Sequence, residues 1–174
     1  MTTRRQVQQQ QERAYVDSFL VWFNRKQRSD FKVVTEPNPP EAIIKSGRTT
    51  RWIEVGAVYW TSEYARDLHS YATPGETHQP VDNGPFQNMD AQFAHNFVTV
   101  LKKKLENRSY IECLRKHGPG YLVMPVYHPW FDKQTIQQMK YAWAQARCDD
   151  LGCFRSVFIA YPVINEVKFS RWSI

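Results

Sequence analysis

Long apolar runs are missing from this chain: its hydrophobic residues never extend beyond a few positions, against the ~20 needed to cross a bilayer. The start, Met1-Thr-Thr-Arg-Arg followed by glutamines, has no apolar stretch of the signal-peptide kind. Cysteine is scarce and odd in number, with Cys113, Cys148 and Cys153 only. That favours free thiols in a reducing compartment over a disulfide framework, and with the missing leader it sets the expectation of a cytoplasmic protein. No Gly-x-Ser-x-Gly elbow, phosphate loop or dinucleotide fingerprint occurs, which argues against serine hydrolase, NTPase and Rossmann readings. The chain also lacks internal repeats and any composition shift that would mark a domain boundary.

The 174 residues suffice for one domain with one core, and 42% hydrophobic content with 14% aromatics excludes wholesale disorder. The net charge of +6 attracts polyanions, so nucleic acid is the expected partner class, with a homo-oligomer or protein partner also open. Residues 5–24 read as a helix with an apolar face of Val7, Ala14, Tyr15, Phe19, Trp22 and Phe23. Phe31 to Thr35 reads as a short strand stopped by Pro37, Pro39 and Pro40. Ala42-Ile-Ile and Thr49 to Val55, joined by a Gly47 turn, predict a β-hairpin. Residues 60–89 read as a long irregular loop that opens with at most a short helix. A helix capped by Asp90 is expected to run to about Arg108, followed by a strand from Tyr121 to Tyr127. Next come a helix from Lys133 to about Arg147 capped by Asp132, a buried strand from Phe154 to Tyr161 and an edge strand from Val167 to Trp172. This order implies a single domain over residues 1–174 of the α+β or α/β class, a mixed central sheet flanked by helices.

Two acids fall on that hairpin. Glu41 opens its first strand after Pro39-Pro40, and Glu54 interrupts the apolar Trp52-Ile53-Glu54-Val55. A carboxylate inside an apolar strand is costly unless paired or metal-bound. Two carboxylates with the Val55 carbonyl offer the hard oxygen set that Mg²⁺ prefers.

Pro40-Glu41, a 12-residue gap and Ile53-Glu54-Val55-Gly56 resemble the signature of the PD-(D/E)XK nuclease superfamily, and the order of elements is similar over most of the chain. The resemblance implies a restriction-endonuclease-like core and a Mg²⁺- or Mn²⁺-dependent nuclease acting on DNA or RNA. It makes Glu41 and Glu54 metal ligands with the Val55 carbonyl, and Glu12 on the leading helix a candidate extra ligand. Where the family carries its lysine this chain has Gly56, on the strand face of Glu54. Lys102 and Lys103 are the expected replacements, coming from another element; Arg66, His69 and His78 follow the hairpin and are further candidates. Lys45 lies too far along its strand to fill the gap, and with Arg66 and His78 it is a candidate nucleic-acid contact. The alternatives are a catalytically inactive protein of this fold that binds nucleic acid or a protein, and an enzyme with another substrate that uses the 60–89 loop as a lid. Cys113, His117, Cys148 and Cys153 form a second, looser candidate set, for zinc.

Overall fold

The computed structural model describes residues 3–82, 86–147, 150–163 and 166–173. A leading helix, α1 (Arg4–Gln27), precedes three antiparallel strands, β1 (Lys32–Thr35), β2 (Ala42–Ser46) and β3 (Thr49–Val55). A two-residue strand, β4 (Val58–Tyr59), leads into α2 (Ser62–Ala72) and then α3 (Met89–Leu105). A 3₁₀ turn (Arg108–Tyr110) and the short α4 (Ile111–His117) return the chain to β5 (Gly120–Tyr127). The helix α5 (Lys133–Gln145) and the hairpin of β6 (Phe154–Val163) and β7 (Glu166–Trp172) complete it. The protein is α+β, with a mixed seven-stranded sheet of order β1-β2-β3-β5-β6-β7; β4 pairs with the end of β5.

The helix α1 forms because Val16, Phe19, Leu20 and Phe23 recur at one-turn spacing. They pack on Ile44, Ile53, Val123 and Phe158 from one face of the sheet. On the other face α3 and α5 set Phe93, Phe97, Leu101, Met139 and Trp143 against Trp52, Leu122, Met124 and Ile159. Parallel strands β5 and β6 are therefore covered on both sides, which explains their near-continuous apolar sequences.

Three readings of the sequence change. The short helix allowed at the start of the 60–89 segment forms and runs for 11 residues, 62–72, with Thr61 accepting a hydrogen bond from the Tyr64 N–H as N-cap. The irregular segment is correspondingly shorter. The cap of α3 is Asn88, and Asp90 instead lies in the first turn, where it accepts from the buried Thr135 hydroxyl of α5 at 2.5 Å. The 3₁₀ turn and α4 were not anticipated; α4 is only seven residues long with none fully buried, so it carries no apolar period to read. Among the described residues no helix is long and apolar enough to cross a membrane.

Candidate functional site

The β2–β3 register pairs Ala42 with Ile53. Extending it by one residue sets Glu41 directly across from Glu54, where facing Cβ atoms lie ~4.5–5.5 Å apart and like charges repel. Strand parity sends Ile53 and Val55 towards α1, and Trp52 towards α3. Glu54 therefore faces α3, and at 2% exposure it is a carboxylate inside the core.

Its partner comes from the last turn of α3. The Lys104 ammonium donates to Glu54 Oε1 at 2.5 Å and to the Val55 carbonyl at 3.1 Å. Gly56 makes the approach possible. A Cβ built on it would stand 3.1 Å from Lys104 Cε and 3.5 Å from its Cγ, so the lysine stem crosses the space a side chain would fill. The backbone holds Gly56 in line, since its N–H donates to the Val123 carbonyl of β5 at 2.9 Å. The negative end of α3 is a suitable seat for a cation.

Charge is not balanced here. Glu54 Oε2 is buried without a hydrogen-bond partner. Glu41 is pushed up to about 7, first by burial and then by the charges of Glu12 and Glu54, with Lys104 pulling the other way. Burial and the Glu54 carboxylate also hold the neighbouring Tyr110 phenol above its usual range. A core carboxylate held by Lys104 and next to the Tyr110 phenol, beside a second carboxylate that resists ionisation, is a donor set suited to a cation. Among the described residues no three Asp, Glu, His or Cys side chains gather closely enough to hold a metal. A divalent ion would thus rest on two carboxylates, the Val55 carbonyl and water, a set that Mg²⁺ commonly accepts. Glu12 shares the cavity beside Lys104, and its Oε1 accepts from Gln8 at 2.9 Å.

Most of the other predicted residues lie elsewhere. Lys102 and Lys103 line an open cleft with Thr99, Glu106, Asn107 and Arg108, away from both acids. Arg66 is exposed on α2 and Lys45 exposed on β2. His78 is engaged by Asp67, 2.6 Å from Nε2 to Oδ1. His69 lines the cavity that also holds Lys104 and Glu12. Of the remaining histidines, His128 is buried beside Phe93, 3.6 Å from Asp90, and His95 is exposed on α3. Of the looser zinc set, Cys113 and Cys153 are free thiols, and Cys148 falls outside the described residues.

Lys104 was the residue sequence reasoning passed over, although it had a signal. It stands seven residues after Phe97 and four after Val100, on the border of the stripe that packs on the sheet. Compared with family models, curated proteins and solved structures, the chain gives no significant match.

Proposed function

We propose that this protein has a restriction-endonuclease-like core and is a divalent-metal-dependent nuclease that hydrolyses phosphodiester bonds of DNA or RNA. The observation that carries this reading is the Lys104 ammonium, 2.5 Å from Glu54, entering from α3 through the gap at Gly56. The lysine missing from the strand is supplied by a helix. Glu41 and Glu54, with the Val55 carbonyl, would hold the ion, and the carbonyl has a second lone pair free for it while accepting from Lys104. Bound Mg²⁺ or Mn²⁺ would supply Lewis-acid polarisation of the phosphate and a more acidic water. Lys104 orients the attacking water against Glu54 and offsets charge that develops on the phosphate. Glu41 must be ionised to take part, so activity rises with pH through the region of about 7. The cleft of Lys102, Lys103 and Arg108 offers a basic track for the phosphate backbone.

One observation favours a second reading. The Lys104 ammonium already bridges Glu54 and the Val55 carbonyl, as a fixed cation would in a protein of this fold that binds nucleic acid or a protein without cleaving. Incubation with plasmid, single-stranded DNA and RNA in Mn²⁺ separates the two. The nuclease reading expects cleavage of at least one substrate that Glu54→Ala abolishes. Cleavage that survives Glu54→Ala, or salt-sensitive binding with no cleavage of any substrate, sinks it.

A further inference from the structure

Beside the carboxylates, α1, the β3–β4 link, α2, α3 and the end of β5 enclose a cavity of about 240 Å³. Its wall is aromatic. Tyr59 and Tyr127 stack with centroids 4.7 Å apart and planes within 7°, and Tyr15 meets Tyr127 edge-on at 6.3 Å. Burial is the first cause holding all three phenols above their usual range, with Tyr59 raised to about 12, so the wall stays neutral at ordinary pH. Polar groups punctuate it. The Tyr59 hydroxyl lies 3.1 Å from His69 Nε2, whose Nδ1 is buried without a partner. The amides of Gln8 and Gln11 line the same space. Burial first, and then the charge of Arg4 from the first turn of α1, disfavour protonation of His69.

The cavity is continuous with the reactive groups, because Val55, Gly56 and Lys104 are part of its lining. Its volume lies below the ~300–1,000 Å³ of pockets for drug-sized ligands. That suits one heterocycle rather than a paired duplex, whose bases show only their edges in the grooves. Neutral rings beside amide donors and acceptors are the surface on which unpaired bases stack and are read.

We propose that this cavity receives one unpaired nucleobase of a single-stranded nucleic acid. The base lies against the Tyr59 and Tyr127 wall with its edge towards Gln11, and the phosphate next to it comes to Glu54 and Lys104. This specificity rests on the nuclease reading of the adjacent carboxylates, so its test measures binding without divalent metal rather than cleavage.

Fluorescence anisotropy in EDTA would compare a short oligothymidylate, an abasic strand of equal length and a duplex. The wild type is expected to bind the base-bearing strand about tenfold or more tightly than the abasic one, since stacking contributes ~1–3 kcal/mol per base. Tyr59→Leu, which removes the stacking ring, and Ala57→Leu, which fills the cavity and leaves the rings in place, should each shrink that preference towards unity. Circular dichroism and melting checks accompany both, and Ala57→Leu carries the test if Tyr59→Leu fails to fold. Equal affinity for base-bearing and abasic strands, tighter binding of duplex, no binding of any strand, or an unchanged preference in a folded Ala57→Leu overturns the proposal. Base-dependent binding without cleavage on any substrate would remove the nuclease reading and leave the pocket standing. Cleavage with base-independent binding would do the reverse.

Discussion

Lys104→Ala is expected to lower cleavage by ~10²–10³-fold, the usual cost of deleting one preorganised donor at a site of developing charge. It should also destabilise the protein. Glu54 keeps 2% of its surface exposed, and removal of its Lys104 partner takes away the ammonium that compensates a core carboxylate. Breaking a fully buried pair costs about 3–5 kcal/mol; the Lys104 side chain retains 25% exposure, which places this pair towards the low end. The two effects separate in the double variant Lys104→Ala/Gly56→Lys. Residues 54 and 56 share a strand face, and the space a Cβ at position 56 would need is the space that Lys104 vacates. The relocated lysine is therefore expected to recover part of the rate and most of the lost stability. Gly56→Lys with Lys104 still in place crowds two ammonium groups and should recover nothing. Single-turnover rates and urea midpoints of the four proteins measure both. A Lys104→Ala protein that cleaves like the wild type rules out the role given to this lysine.

Glu41→Gln should raise stability at pH 8 while abolishing cleavage. Burial, Glu12 and Glu54 lift the Glu41 carboxyl from 4.5 to about 7. Between those values the native state holds a proton that the unfolded chain has released, so stability falls as pH rises. The favourable contribution is complete below about 4.5 and lost above about 7. The amide carries no charge at either pH, and the variant should show a flatter dependence and a higher Tm than wild type at pH 8. Because solvent screens a half-buried carboxyl, the gain is about 1 kcal/mol, or ~2–4 °C. Mn²⁺ should raise the wild-type Tm at pH 8 more than at pH 5.5, since binding must displace the Glu41 proton. The same ion should do little for Glu41→Gln. Thermal melts at the two pH values, with and without Mn²⁺, test this; equal Mn²⁺ shifts in wild type and variant would count against Glu41 as a ligand.

The hairpin was legible because β-formers flank a tight Gly47 turn, and its register follows from turn length. That alone sets Glu41 across from Glu54. The lysine was harder. Residues 102–104 are consecutive cations on one helix, so each points ~100° from the next, and only the phase of the stripe Phe93, Phe97, Leu101 and Leu105 separates them. Read against that stripe, Lys104 turns inward and Lys103 turns out. Gly56 stands where the resembled signature carries a lysine, and in the fold it leaves the space that the Lys104 stem crosses. The tyrosine wall was not legible, because Tyr15, Tyr59 and Tyr127 come from a helix, a two-residue strand and a strand end far apart in sequence. The start of α2 was legible at Thr61, but the polar residues that fill the helix hid its full length.

Glu41 and Glu54 are proposed to hold one divalent ion under Lys104, and anomalous diffraction from crystals soaked with Mn²⁺ at pH 8 would locate that ion. One peak is expected within ~2.2 Å of an oxygen from each carboxylate, with Lys104 still bonded to Glu54. A peak bound by only one of the two carboxylates, or none at a concentration that supports cleavage, would contradict it.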